Sequence, residues 1–335
     1  MTFSLFEETV TGLDIGHAWL KIVQAKKSSR GTRLSRAAVV PVPPASAQPR
    51  VFAEFLDSVF RSAKIHPSNI VLAIGAPGVE VHRLELPRMA GRERGEAVRW
   101  NMQNLLGFPL DRAALDYRTL PALSGEESVE LESVLVVAAD NDLLGAELDM
   151  LGRLELEPVG AQAACLAGLE SYLRTARSGA RETVALLDIG HEGTGVTLVT
   201  QGQPRLHRYL PFGGAQLTRY LSEALHADPE EAEKQKLALT SGEPLVEPLD
   251  QLGTRIERVF QHFEDVHPTE KVDRILMYGG TALLPGIERL LTEQLHETVE
   301  RLNPLSGPPL DSAYPDVETV RRLGPALVVA CGLVS

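Results

Sequence analysis

Thr11-Gly12-Leu13-Asp14-Ile15-Gly16-His17 and Leu186-Leu187-Asp188-Ile189-Gly190-His191 share the tetrad Asp-Ile-Gly-His, about half a chain length apart. Each copy closes one apolar run and opens another. Trp19, Leu20, Ile22 and Val23 follow the first, and Val196, Leu198 and Val199 follow the second. A short acidic turn with glycine between two apolar runs is a hairpin signal. Repeating it predicts one hairpin in each half of a duplicated chain.

At 335 residues the chain is long enough for two lobes, each with a core. Hydrophobic residues make up 44% and charged residues 23%, the balance of a folded globular protein. The net charge of −12 disfavours non-specific nucleic-acid binding. No polybasic tract points to anionic lipid. Cys165 and Cys331 lie far apart without metal-ligand spacing, which fits a reducing compartment and buried apolar roles. The first ten residues carry glutamates in place of a basic start and apolar stretch, so they do not read as a signal peptide. No run approaches the ~20 apolar residues of a membrane span. The chain is therefore expected to be soluble as given, docking on membranes through partners or continuing into a longer protein.

Along the chain, strands are expected over 12–15, 19–25 and 37–40, the last after a turn at 28–31. A proline-rich connector at 41–49 and an amphipathic helix over 51–63 follow, then a buried strand at 70–74. From residue 79 the character changes. A strand with Val81, Leu84 and Leu86 precedes a polar helix over 93–106 and paired strands over 115–120 and 131–139, with an exposed acidic loop at 124–130 between them. A helix over 143–154 is expected to turn Leu143, Leu144, Leu148 and Leu151 to one face. Another helix over 158–172 and a polar hinge at 174–180 follow. The second half repeats the meander (184–187, 195–200, 206–210) and continues with helices over 215–225, 229–239 and 248–263. A strand over 274–278, a helix over 285–295, a strand near 299–302 and a helix near 324–334 end the chain.

Two such turns suggest a nucleotide clamp. Glycine lets backbone N–H groups approach phosphate without a Cβ in the way, and a neighbouring aspartate can hold a hydrated magnesium ion. Asp14 and Asp188 are the candidate carboxylates; two plain hairpin turns are the alternative. Ile275-Leu276-Met277-Tyr278-Gly279-Gly280-Thr281 adds a strand entering a glycine pair, which puts bare backbone against a flat ligand or simply caps a helix.

With Gly213-Gly214-Ala215-Gln216-Leu217-Thr218, Ala232-Glu233-Lys234-Gln235-Lys236 and Gly279-Gly280-Thr281-Ala282-Leu283-Leu284-Pro285-Gly286, the pattern resembles the actin-like ATPase superfamily. Within it the chain is similar to the PilM family of type IV pilus assembly proteins, relatives of the division protein FtsA. Leu84-Glu85-Leu86-Pro87, Leu106-Gly107-Phe108-Pro109-Leu110 and Leu115-Asp116-Tyr117 carry that likeness through the inserted block. The resemblance covers nearly the whole chain.

It implies an α/β fold of the actin-like, ribonuclease-H-like duplicated type, with two lobes and an inserted subdomain. The first lobe's core would take residues 1–78 and 156–180, and the insertion 79–155. The second lobe's core would take 181–214 and 270–335, and its subdomain 215–269. It also implies ATP or ADP with magnesium. Asp14, Gly16 and Lys21 would form the first phosphate turn, and Asp188, Gly190 and Thr194 the second. Gly213 and Gly214 would line the phosphates, Glu233 and Lys236 flank ribose and base, and Gly279, Gly280 and Thr281 support the nucleoside. Asp14 and Asp188 would reach magnesium through water.

The partners implied are the N-terminal peptide of a PilN-like inner-membrane protein, captured in a groove near the first lobe, and other assembly-platform proteins. That would hold a cytoplasmic chain at the inner face of the membrane. His17, Ala18 and Trp19 stand where the family has small hydroxyl residues, and Glu192 adds charge beside the second turn. These departures point to weak nucleotide binding or a structural site. No nucleophile–base pair announces an enzyme. The cytoplasmic domain of a GspL-like type II secretion protein is the near alternative; a sugar-kinase-like enzyme and a filament former are more distant ones.

Overall fold

The computed structural model describes residues 7–29, 31–43, 48–123, 130–175, 182–306 and 317–335. The expected acidic loop at 124–130, the connector at 41–49, the hinge at 174–180 and the turn at 28–31 fall wholly or partly outside these residues.

Both Asp-Ile-Gly-His stretches are hairpin turns. β1 (Glu8–Ile15) and β2 (Trp19–Ser28) pair antiparallel with Asp14 opposite Lys21, and β3 (Gly31–Pro41) extends the meander. β4 (Ile70–Ile74) then adds parallel to β1, and β8 (Pro158–Ala163) parallel to β4. The sheet order is β3-β2-β1-β4-β8. In the second half β9 (Thr183–Ile189), β10 (Thr194–Thr200) and β11 (Gln203–Leu210) form the meander, and β12 (Arg274–Tyr278) and β13 (Val299–Arg301) add in parallel. That order, β11-β10-β9-β12-β13, is the same five-strand plan written twice. Central strands buried on both faces read as continuous apolar runs, as Val184 to Leu187 do.

Between β4 and β8 the chain builds a third sheet, β5-β7-β6, from β5 (Val79–Pro87), β6 (Ala113–Thr119) and β7 (Leu131–Asp140). α2 (Gly91–Met102) covers it through Val98 and Met102. α1 (Pro49–Ser62) starts on a first-turn proline and buries Phe52, Leu56, Val59 and Phe60 at helical spacing against the first sheet.

α3 (Asn141–Gly152) is fixed at its start by Asp140, whose carboxylate accepts the Asp142 N–H at 2.9 Å. The expected inner face is corrected here. Leu143 and Leu148 are 37% and 40% exposed, whereas Met150 and Leu151 are buried. The stretch 158–172 is corrected as well: its first six residues are strand β8, and only α4 (Ala164–Thr175) is helical.

In the second half α5 (Gly214–Leu225), α6 (Pro229–Leu237), α7 (Val246–Val266) and α8 (Ile287–Leu295) pack on the sheet. Leu249, Leu252, Ile256, Val259 and Phe263 form the inward stripe of α7. A short helix α9 (Val317–Arg322) precedes α10 (Val328–Leu333), which crosses α4 and β1. The crossing is close because Gly332 lacks a side chain: a Cβ there would lie 1.8 Å from the Ala167 carbonyl oxygen. Among the described residues no helix is long and apolar enough to cross a membrane.

Candidate functional site

The two turns are built alike. The Gly16 N–H donates to the Trp19 carbonyl at 3.0 Å, and the Gly190 N–H to the Gly193 carbonyl at 2.9 Å. Each closes a loop of the same size beside an aspartate, and both loops line one cavity of about 390 Å³ between the lobes. Asp14, Gly16, Lys21, Asp188, Gly190, Glu233, Lys236, Gly279, Gly280 and Thr281 all reach its wall. Ten residues singled out in the sequence thus converge on one cavity.

The carboxylates have different surroundings. Asp14 is paired with Lys21 at 2.7 Å, both side chains being largely buried. Burial pushes the Asp188 carboxyl up to about 7; the Lys21 charge opposes that rise and the Asp14 charge adds to it. Glu147, on the inner side of α3, joins them from the inserted block. Its carboxyl is raised to about 7 by burial and then by the Asp14 charge, and its Oε2 has no hydrogen-bond partner. Nothing in the sequence pattern singled out Glu147, because one acid on a mixed helix looks like a solvated one.

Gly279 needs to be glycine on two grounds. Its φ of +98° is left-handed, and a Cβ would sit 2.7 Å from the Asp188 carboxylate. Gly280 faces the Trp19 indole, so Trp19 reaches from the first turn to the second lobe. The Thr281 hydroxyl donates to the Gly190 carbonyl at 2.7 Å and so fixes the second turn.

Three residues stand behind the cavity instead of on it. Thr194 is fully buried, with its hydroxyl donating to the Phe212 carbonyl at 2.7 Å. Gly213 packs on the back of the second turn, where a Cβ would lie 2.6 Å from the Gly190 oxygen. The Gly214 N–H donates to that same oxygen at 2.9 Å.

Lys236 is buried and saturated. Its ammonium donates to the Gly214 carbonyl at 3.0 Å and the Thr218 hydroxyl at 2.8 Å, and pairs with Glu233 at 2.7 Å. Burial lowers its pKa against the opposing pull of Glu233. It therefore ties α6 to the start of α5, leaving Glu233 as the more exposed member of the pair.

His17 is exposed at the rim, and burial lowers the pKa of His191. His207, raised by neither turn, accepts or donates through Nδ1 to Thr197 at 2.9 Å; burial lowers it to about 4, so it is neutral at pH 7. Cys165 also lines the cavity, but burial pushes its thiol up to about 12, which leaves it inert.

A family model for the type IV pilus assembly protein PilM matches residues 12–334. The chain belongs to that family. Its likeness to the solved PilM–PilN type IV pilus biogenesis complex is 27% identity with a TM-score of 0.86, over 97% of each chain. An MreB protein of Spiroplasma citri solved with ADP has the same fold, at 11% identity and a TM-score of 0.51 over 97% of this chain and 94% of that one. The cell division protein FtsA of Bacillus subtilis is 26% identical over 176 residues, 44% of this chain and 38% of that protein. The chain thus aligns with about two fifths of that curated relative. This PilM family member has the actin-like fold, and the match over 12–334 favours the pilus reading over the type II secretion alternative.

Proposed function

We propose that this PilM family member is a nucleotide-binding adaptor of a type IV pilus assembly platform, docked on the N-terminal segment of a PilN-like membrane protein. The observation that carries the nucleotide half is the pair of matched turns facing one cavity that Asp14, Asp188 and Glu147 line together. The residues fit a magnesium nucleotide: Glu147 keeps a buried oxygen with no hydrogen-bond partner among the described residues, and burial disfavours the charged form of the Asp188 carboxyl, which a bound cation would restore. A bound divalent cation would neutralise phosphate charge there. Among the described residues no three acidic or histidine side chains are placed to ligate a bare ion, so Asp14 and Asp188 would reach it through water, and Gly279 and Gly280 would leave room for the nucleoside. ATP and ADP are the ligands proposed.

The docking half rests on two open sheet edges. β8 ends the first sheet and β6 ends the inserted one, and both border a groove of about 330 Å³. Leu115, Tyr117, Val137, Leu144, Ala161 and Leu166 line it. An extended peptide can add its backbone to such an edge and place alternate side chains in the groove. Capture of this kind would hold the chain at a membrane through its partner.

The test is calorimetric titration of the PilN N-terminal peptide from the same genome into the wild-type protein and Leu166→Glu. Saturable binding that weakens at least tenfold in the variant, with its unfolding temperature unchanged, is the expected outcome. Equal binding by both proteins would place the peptide elsewhere and refute the groove.

A further inference from the structure

A second groove lies at the β11 edge of the second sheet, apart from the cavity between the lobes and from the groove between β6 and β8. α7 contributes Arg255, Arg258, Val259 and His262, which recur at helical spacing as one stripe. The end of β11 contributes Arg208 and Leu210 across from them. The groove is shallow, about 500 Å³, and no acidic residue lines it.

Three guanidinium groups and an imidazole facing one groove is a costly arrangement unless something offsets their repulsion. Several arginines elsewhere on this surface are held by carboxylates: Arg50 by Glu54, Arg112 by Asp140 and Asp142, Arg289 by Glu293. Among the described residues, no carboxylate lies within 4.0 Å of Arg208, Arg255 or Arg258. Arg255 is instead positioned over the Phe212 ring, 5.1 Å from its centroid, which fixes the guanidinium while leaving its N–H donors available. In a chain of net charge −12, such a patch is a local inversion of sign.

β11 is the outermost strand of its sheet, hydrogen-bonded only to β10 and contacted by β5 of the inserted block, and Leu210 and Val259 give the groove an apolar floor. A concave, apolar-floored groove with a basic rim suits an extended segment alternating apolar and acidic side chains. A flat bilayer surface meets neither the concavity nor the net negative charge of the whole chain.

We propose that this groove is a docking site for an acidic, extended segment of a protein partner, which lays apolar side chains on Leu210 and Val259 and its carboxylates on Arg208, Arg255 and Arg258. The site is distinct from the groove between β6 and β8, and its occupant has the opposite charge to the rim that receives it.

The probe is a fluorescein-labelled decapeptide of alternating glutamate and leucine, followed by anisotropy as wild-type protein is added at low and moderate salt. The comparison proteins are Arg255→Glu/Arg258→Glu and, as a surface control on α2, Arg92→Glu/Arg99→Glu, each with its unfolding temperature measured. Saturable binding that weakens with salt, falls at least tenfold in the groove variant and stays within twofold in the control is the expected result. Four outcomes would overturn the proposal. They are no saturable binding to wild type, equal binding to the folded groove variant, equal binding of the lysine–leucine counterpart, and loss of phosphatidylglycerol vesicle binding in the groove variant without any peptide binding.

Discussion

Asp14, Asp188 and Glu147 share the wall of one cavity, and of these three it is Asp14 that pairs with a cation, Lys21 at 2.7 Å. The carboxyls of Asp188 and Glu147 are both raised to about 7 by burial, against an unfolded value near 4. Below about pH 4 both groups are protonated in either state and contribute nothing. As pH rises towards 7 the unfolded chain ionises first, so folding stability is lost through that window and the full cost is present above it. Asp188→Asn and Glu147→Gln should therefore each stabilise the ligand-free protein at pH 8, by on the order of 1–3 kcal/mol, and leave it nearly unchanged at pH 4.5. Thermal unfolding at the two pH values checks this; a lower unfolding temperature for the variants at pH 8 would contradict it. Such a cost is what a site kept for a cation would carry. Asp14 and Asp188 were legible in the sequence because the turn that holds them is written twice. Glu147 was not: its inward position depends on the rotation of α3, which Asp140 and the buried pair Met150 and Leu151 set.

Elements with a strong local pattern follow the sequence closely. α1 and α7 have apolar residues at helical spacing, and the two meanders have polar turns between apolar runs. β8 is the exception. Pro158-Val159-Gly160-Ala161-Gln162-Ala163 has neither strand alternation nor a β-branched run, and Val159 points outward, so only its parallel pairing with β4 makes it a strand. Helix contacts between distant segments are equally silent. Gly332 sits in an apolar stretch whose sequence gives no sign that α10 touches the backbone of α4 there. Adding one methyl group at that crossing forces the helices apart, so Gly332→Ala should destabilise by about 1–3 kcal/mol or more. Urea unfolding reads the change, and a variant within 0.5 kcal/mol of wild type, the range of an ordinary surface substitution, would mean that the crossing relaxes freely.

On the scale of the whole molecule, one five-strand plan is used twice, and the two copies of its first turn meet across a cleft. The repeated tetrad announced the duplication. Which strands end as open edges could not be read, because sheet order is fixed by pairings between residues far apart in the chain. Those edges are where both proposed docking grooves lie, β6 and β8 on one side and β11 on the other. A molecule so arranged can bind a ligand between its lobes and partners on its outer edges. Calorimetric titration of ATP and ADP with magnesium at pH 8, into wild type, Asp14→Ala and Asp188→Ala, tests the cleft directly. Micromolar binding to wild type, weakened at least tenfold by either substitution, is the result predicted for two turns that each hold one side of the same ligand. No heat at millimolar nucleotide, or binding untouched by Asp188→Ala, would mean that the paired turns are structural and that the protein works by docking alone.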